Sequence, residues 1–199
     1  MNRKSWVDAM PSSAPDQRPP VRPYPAKYAG EWTTKSGARV LIRPIRPEDE
    51  PLLAKFHEGL SNTSVYLRYF HMMSLDARVA HARLMRQCFI DYDREMALVA
   101  DFENPNTRER EIWAVGRLTK NPDGREAEVA VLVTDLHQKE GLGTELVRRL
   151  IEIARDEKLQ RILAHILPDN SGMISLGKHF NFRAEPSSDP AALTVVLDL

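Results

Sequence analysis

The chain has 199 residues, 42% of them hydrophobic, and its 28 basic and 28 acidic side chains give a formal net charge of zero. This size fits one domain, or one domain with a tail, and the neutral balance argues against a nucleic-acid binder that relies on a basic surface. The lone cysteine, Cys88, excludes an intramolecular disulfide and a cysteine-based metal site. The sequence shows neither the apolar core of a signal peptide nor the roughly 20 apolar residues that span a bilayer. We therefore expect a cytoplasmic protein that binds neither nucleic acid nor membrane.

The N-terminal stretch, residues 1 to about 30, contains six of the fourteen prolines. Proline removes a backbone donor and blocks helices, so we predict a tail or linker with polyproline character. A partner-docking arm is the alternative interpretation. Tyr24, Tyr28 and Trp32 could pin the end of this stretch onto a domain that we expect to run from residue 31 to residue 199.

The first half of that domain is predicted to begin with a strand over residues 37–45. A helix then opens at Pro47, with acidic residues in its first turn, where they complement the helix dipole. A short helix over residues 65–70 and a longer one from residue 75 to about residue 92 follow. Cys88 lies among apolar residues of the longer helix, which predicts a buried, unreactive thiol.

The second half of the domain is rich in predicted strands. Three of them, over residues 96–102, 111–118 and 128–133, are separated by strong turn signals and predict an antiparallel meander. A helix over residues 141–157, a strand over 161–167, a short helix over 173–179 and strands over 180–184 and 193–197 complete the series. The strand–helix–strand unit would make the one parallel crossover. The fold class is thus α/β, with a mixed, mostly antiparallel sheet of about seven strands flanked by helices.

The segment before the 141–157 helix reads Gln138-Lys139-Glu140-Gly141-Leu142-Gly143. Glycines at a helix start remove the side chains that would keep an anion away from the backbone. The free N–H groups of the first turn also carry partial positive charge. The pattern therefore indicates a phosphate cradle that needs neither a metal nor a lysine, although a tight turn alone would also use two glycines. A Rossmann turn does not fit, because Leu146 stands at its third glycine, and a Walker loop is absent from the sequence.

The spacing Gln-x-x-Gly-x-Gly resembles the pyrophosphate-binding motif of the GNAT superfamily of N-acetyltransferases, which bind acetyl-CoA. The resemblance covers roughly residues 37–199, including a similar opening phrase at residues 43–49 and a similar ending from Asn170 to Phe182. It implies a GNAT fold and no metal, with an oxyanion donor on the backbone of Leu132 or Val133. It also implies contacts to acetyl-CoA from a set of residues along the predicted cleft: Val131, Leu132, Val133, Gln138, Lys139, Gly141, Leu142, Gly143, Thr144 and Asn170.

Acetyl transfer to an amine also needs a base, because a lysine with a pKa near 10.4 is neutral in only about one molecule in a thousand at neutral pH. In the family, a strand glutamate about ten residues before the glutamine can take this role, which implies Glu128, directly or through water. Glu126 lies on the same face by period two and is the alternative, and both could be solvated strand residues. The family's usual tyrosine acid aligns with Gly177 and is therefore missing, and His179 or water could replace it.

The short helix over residues 65–70 would border the acceptor site of a GNAT fold, which makes Tyr66, Arg68, Tyr69 and His71 candidate acceptor contacts. A mixed core-and-rim helix is the alternative. Phrases at residues 43–52, 66–70 and 169–174 are most similar to bacterial protein lysine acetyltransferases that act on acetyl-CoA synthetase. The resemblance implies direct acetyl transfer in a ternary complex to a protein lysine, with an acyl-CoA synthetase as a candidate substrate. A small-molecule amine acetyltransferase and a non-catalytic CoA-sensing module are the alternatives, and no acidic run in the sequence predicts a groove for cationic substrates.

Overall fold

One eight-stranded sheet runs through the part of the chain that this computed structural model describes, residues 23–187 and 189–199. The strands are β1 Gly30–Thr33, β2 Arg39–Pro44, β3 Glu95–Glu103, β4 Arg110–Lys120, β5 Glu126–Val133, β6 Arg161–Ile166, β7 Arg183–Glu185 and β8 Leu193–Asp198. The helices are α1 Glu50–Glu58, α2 Asn62–Tyr69, α3 Leu75–Val79, α4 His81–Cys88, α5 Leu142–Asp156 and α6 Ser171–His179. Residues 1–22 of the predicted tail lie outside the described part.

The strand order is β1-β2-β3-β4-β5-β6-β8-β7. Every neighbouring pair is antiparallel except β5 and β6, which are parallel and joined through α5. This confirms the mixed, mostly antiparallel sheet with one parallel crossover. The sheet has eight described strands where about seven were expected, because β1 had not been predicted. That strand is only four residues long and pairs with β2 across a turn at Gly37.

The helix predicted from residue 75 to about residue 92 is wrong as a single element. The chain leaves the helical region at Ala80, with ψ at 126°, and the two pieces α3 and α4 both pack against α1. Arg78 at the end of α3 is buried and donates from Nη1 to the carbonyl of His57 at 3.0 Å. Tertiary contacts on α1 therefore decide where this helix breaks.

The strand predicted over residues 180–184 is also mostly wrong. Asn181 has a left-handed backbone, with φ at 59°, and the N–H of Phe182 bonds back to the carbonyl of Gly177 at 2.9 Å. These contacts form the turn that ends α6. Only residues 183–185 pair with β8, which makes β7 a short edge strand.

The two faces of the sheet carry separate cores. On one, the α5 face, the apolar side of α5 packs against the strands, with Leu146 and Leu150 fully buried. On the other, the α1 face, α1, α2 and α4 cover the strands with residues such as Phe56 and Leu84. Cys88 is 1% exposed on the α1 face, and burial raises the pKa of its thiol to about 11. The expected burial of the cysteine is confirmed, and a raised pKa disfavours the reactive thiolate.

The α1 face also buries a charged cluster. Arg43, which is 1% exposed, donates from Nη1 and Nη2 to the carboxylate of Asp49, both at 2.7 Å, and from Nε to Asp101 at 2.8 Å. Arg110 donates to the same Asp101 carboxylate from outside. The cluster ties β2, β3, β4 and the turn before α1 together, and every buried charge in it has a partner.

The three aromatic residues at the end of the proline-rich stretch all contact the domain. Tyr24 donates from its hydroxyl to the carbonyl of Pro44 at 3.0 Å, and Tyr28 donates to Asp156 at 3.3 Å. Trp32 packs against the α5-face core.

Every helix within the described ranges is too short or too polar to cross a bilayer.

Candidate functional site

The site is a cleft of about 930 Å³ that opens where β5 separates from β6. The two strands pair only over three positions, ending at Glu128 opposite Leu163, although both continue beyond that point. On its other side β5 stays paired with β4 through Val133. From Val129 onward, β5 therefore lacks a strand partner on its β6 side within the described part of the chain, and that edge forms one wall of the cleft.

The predicted cofactor residues collect at this cleft with one exception. Residues of β5, the loop after it and the start of α5 line it, together with Asn170 at the start of α6. The exception is Leu142, which is 1% exposed and anchors the first turn of α5 in the core. The lining set comprises Val131, Leu132, Val133, Gln138, Lys139, Gly141, Gly143, Thr144 and Asn170.

The cradle loop has the conformation that its glycines suggest. Gly141 has φ at 94°, a left-handed value, and a Cβ there would lie 3.1 Å from the Trp32 ring. Backbone strain and the close approach of Trp32 both require glycine at this position. Gly143 differs, because a Cβ there would make only ordinary contacts, the nearest at 3.8 Å to Val133. The missing side chain at Gly143 keeps the first turn of α5 open toward the cleft rather than relieving a clash.

The hairpin of β1 and β2 supports this loop from the side. Lys35 donates its N–H to the carbonyl of Glu140 at 3.0 Å, and the Ser36 hydroxyl donates to the Glu140 carboxylate at 2.7 Å. The Nδ1 atom of His137 lies 3.2 Å from the same carboxylate. These hydrogen bonds, the Ser36 bond first, hold the pKa of Glu140 below its usual value. Lys35 itself lines the cleft.

A second set of contacts ties the loop to α2. Asp135 accepts hydrogen bonds from the Ser61 N–H at 2.9 Å, the Ser61 hydroxyl at 2.6 Å and the Ser64 hydroxyl at 3.0 Å. Partial burial alone would raise the pKa of Asp135, but these bonds outweigh it and the pKa is lowered. Gln138 donates from Nε2 to the Ser64 hydroxyl at 3.1 Å. Asp135 was not predicted from the sequence, where the signal was indirect: Ser61 caps α2, its hydroxyl accepting from the N–H of Ser64 at 3.1 Å.

The two candidate bases have different surroundings. Glu126 forms an ion pair with Arg161 at 3.4 Å and lies outside the cleft lining. Glu128 lines the cleft, has an exposed side chain and stands at the point where β5 and β6 part. Its carboxylate makes no hydrogen bond or ion pair with any residue that the structure describes. Geometry thus separates two glutamates that strand periodicity alone placed on one face.

The α6 region presents an apolar side to the cleft. Asn170 caps the helix, its Oδ1 accepting from the N–H of Met173 at 3.1 Å, and also lines the cleft. Gly177 lies elsewhere, since a Cβ there would point toward Phe182 and Val195. His179 is exposed at the end of α6 and is also not part of the lining. Four residues of α6 line the cleft, of which Met173 and Leu176 supply the apolar side chains and Ser171 and Gly172 complete the first turn.

An imidazole that the sequence analysis did not single out lies on the β6 side of the cleft. His165 lines it, and its Nδ1 lies 3.2 Å from the Thr194 hydroxyl. Because Glu128 is in register with Leu163, a residue two positions later on β6 shares the face of Glu128. The alternation of side chains along a strand would have predicted this orientation if the register between β5 and β6 had been known.

The helix α2 contributes part of what was expected of it. Arg68 and Tyr69 line the cleft, opposite the cradle loop. Tyr66 is 42% exposed and His71 binds the Tyr69 carbonyl through Nδ1 at 2.7 Å, and neither belongs to the lining.

The residues that form this sheet and its glycine-rich helix start match a known protein family. A family model described as an acetyltransferase (GNAT) domain covers residues 39–183. The chain therefore belongs to the GNAT acetyltransferase family, whose members use acetyl-CoA. The cradle fits such a ligand, because the open first turn of α5 supplies backbone donors for phosphate oxygens.

Individual relatives agree with this assignment. An acetyltransferase of Pseudomonas aeruginosa is 33% identical over 119 residues, which are 60% of this chain and 61% of that protein. The chain thus matches less than two thirds of that relative's length. The GNAT domain of S. lividans PAT is 27% identical with a TM-score of 0.78, over 89% of this chain and 100% of that one.

A CoA complex is among the similar structures. Mycobacterium smegmatis RimJ in complex with CoA-disulfide has a TM-score of 0.66 at 17% identity, with 85% of this chain and 86% of that one covered. The ribosomal-protein-S5-alanine acetyltransferase from Vibrio fischeri has a TM-score of 0.67 at 13% identity, with coverages of 85% and 96%. At these identities the two structures support the fold alone.

Proposed function

We propose that the protein transfers the acetyl group of acetyl-CoA to the side-chain amine of a protein lysine, by direct attack in a ternary complex. The observation that carries the proposal is the position of Glu128, exposed and unpaired among the described residues, at the parting of β5 and β6. The phrases at residues 43–52, 66–70 and 169–174 resemble protein lysine acetyltransferases. That resemblance supports a protein lysine over a small amine, and it makes an acyl-CoA synthetase the first substrate to test.

Binding of acetyl-CoA is assigned to the cradle and the free edge of β5. The backbone N–H groups of Gly143 and Thr144, with the dipole of α5 behind them, would hold the pyrophosphate. The β5 edge at residues 131–133 would pair with the pantetheine arm, and Asn170 would contact it from the other side. Lys139 and Lys35 add positive charge at the rim of the cleft.

The chemical step needs a proton acceptor and an oxyanion donor. As the lysine nitrogen attacks the thioester carbonyl, Glu128 takes the amine proton, directly or through water. A backbone N–H of Leu132 or Val133 donates to the carbonyl oxygen, on which negative charge develops. The carbon–sulfur bond then breaks, and the departing thiolate takes a proton from water. A thiolate can leave without a strong acid, since its pKa is only about 8.5, which suits a cleft whose α6 wall is Met173 and Leu176.

The test is mass spectrometry of acetylated lysines after the purified protein is incubated with acetyl-CoA and an extract of its own cell. A Glu128→Gln variant is the matched control. We expect new acetyl-lysines on one or a few proteins, lost with the variant. New acetyl groups only on free amines or protein N-termini would contradict the lysine acceptor. Equal activity of the variant would leave the enzyme but remove Glu128 as its base.

A further inference from the structure

A second cavity, of about 310 Å³, opens on the α1 face between α1, α2, α4 and the strands β4 and β5. It shares four lining residues with the cleft: Arg68, Tyr69, Ala130 and Leu132. The register places Thr119 opposite Glu128 and Arg117 opposite Ala130, so the side chains of all four stand on this face. The cavity is therefore continuous with the side of the cleft where Glu128 lies.

The walls of this second cavity are strongly basic. Arg68, Arg86 and Arg117 line it, and Arg83 lies 5.0 Å from the ring of Tyr69, another lining residue. The single carboxylate in the lining is Glu95, and it is already ion-paired with Arg117. His57 adds no charge near neutral pH, because burial lowers its pKa to about 4. Positive charge thus exceeds negative charge, in a chain whose net charge is zero.

Three of these guanidinium groups form no ion pair within the described residues, although the charge of Glu128 acts on Arg68 through space. Within residues 23–187 and 189–199, Arg68, Arg83 and Arg86 make no side-chain hydrogen bond or ion pair. Arg68 packs 5.2 Å from the Tyr69 ring, and the buried Nε of Arg83 is without a partner in the same part of the chain. Arg68 is half-buried, and this burial lowers the pKa of its guanidinium although the Glu128 carboxylate acts in the opposite direction. Arg83 is also half-buried, and a cation that loses water without gaining a partner is destabilised, so a bound carboxylate would stabilise both of them.

We propose that the acceptor amine is carried next to a carboxylate, which Arg68, Arg83 and Arg86 bind while the amine faces Glu128. This inference rests on the proposed function and names its substrate class: a lysine with Asp or Glu neighbours in the acceptor protein. The opposite class, a lysine in a basic segment, would bring further cations to a cavity that already holds unpaired ones.

The test compares lysine peptides that differ only in their flanking residues, which are Asp and Glu, Asn and Gln, or Arg and Lys. We expect kcat/KM to be about tenfold higher for the acidic peptide than for the neutral one, as a hydrogen bond to a charged group would give. The difference should shrink as salt rises. Equal values for the three peptides would overturn the proposal.

A charge reversal assigns the effect to this cavity. Arg86 is exposed, so Arg86→Glu should fold, and we expect it to raise KM for the acidic peptide and lower KM for the basic one, with kcat nearly unchanged. Arg155→Glu is the matched control, because Arg155 is an exposed arginine of α5 on the other side of the sheet. An unchanged peptide preference in Arg86→Glu, together with an unchanged preference in Arg68→Gln, would contradict the proposal.

Failure of the protein-lysine function gives a different result. In that case none of the three peptides is acetylated, and the comparison moves to 4-aminobutyrate against butylamine, which differ by one carboxylate. Faster acetylation of 4-aminobutyrate would support the anion site on a small substrate. Equal rates for the two amines, or acetylation of neither, would overturn it.

Discussion

The two sides of the cleft, the proposed cofactor side at the cradle and the proposed acceptor side at the second cavity, would bind their ligands by different means. The cradle side uses backbone groups from one short segment, residues 138–144, whose conformation is set by Gly141 and braced by Trp32. The acceptor side uses side chains from α2, α4 and β4, which lie up to about fifty residues apart in the sequence and meet only in the folded sheet. A site built from one contiguous backbone segment can be recognised as a motif in the sequence, whereas a site built from side chains distant in sequence cannot.

The largest expected effect is on the stability of the α1 face, which also carries the acceptor side of the cleft. Arg43→Met would leave Asp49 and Asp101 buried without their main partner, which should lower the free energy of unfolding by about 3–5 kcal/mol in urea titrations. Arg149→Met on the α5 face is the matched comparison. Its partner Glu145 keeps Arg148, and the Gly30 carbonyl loses a donor at 3.1 Å, so a smaller loss of about 1–2 kcal/mol is expected. Similar losses for both variants would show that the two faces do not differ in this way.

The next prediction separates chemistry from cofactor binding. Glu128→Gln should lower kcat/KM by about a hundredfold to a thousandfold, the usual contribution of a general base. The dissociation constant for CoA, measured by calorimetry, should stay within about twofold, because Glu128 lies on the other face of the sheet from the α5 helix. Weaker CoA binding in this variant would show that the two sides of the cleft are not independent.

The α1 face should also make the folding stability of the protein sensitive to acid. Burial is the main reason that the pKa of His57 falls from 6.5 to about 4. Between these values the unfolded chain binds a proton that the folded chain does not, so stability falls as pH decreases from 6.5 to 4, by up to about 3 kcal/mol. Unfolding titrations across this range should show a flatter pH dependence for His57→Leu. A variant with the same slope as the unchanged protein would exclude His57 as the titrating group.

The smallest effects distinguish the two cradle glycines. Gly141→Ala should destabilise the fold by about 1–2 kcal/mol, because its left-handed φ and Trp32 both oppose a side chain. Gly143→Ala should leave thermal stability nearly unchanged, since a Cβ there has room, yet weaken CoA binding several-fold by covering the first turn of α5. Unchanged CoA affinity in Gly143→Ala would argue against the cradle as the pyrophosphate site.

The sequence predicted what depends on local pattern. The mixed sheet, the single parallel crossover and the buried Cys88 follow from periodicity and turn residues, and the structure confirms them. The GNAT family was indicated by the resemblance of the glycine motif and its flanking phrases, and the comparisons confirm it. The roles of Glu128, Asn170 and the cradle residues stay predictions, although the structure brings all of them except Leu142 to one cleft.

The errors arose where contacts distant in sequence decide the local conformation. The break at Ala80 follows from packing on α1, and the turn at Asn181 replaces a predicted strand because the chain bonds back to Gly177. The strand β1 is too short to show a period of two. Arg68 was predicted as an acceptor contact, but His165 and the other arginines of the second cavity were not assigned to the site, since only the strand register and the helix packing reveal what they face.

The parting of β5 and β6 has a consequence for how the molecule holds together. Three residue pairs between β5 and β6, together with the helix α5, join the five antiparallel strands β1–β5 to the small sheet formed by β6, β7 and β8. A ligand that lies along the free edge of β5 occupies the place of an absent strand and contacts both parts at once. Binding therefore adds to the cohesion of the fold, and the thermal midpoint should rise with ligand concentration as mass action requires. A co-substrate bound as proposed would, in this sense, also be a structural element of the sheet.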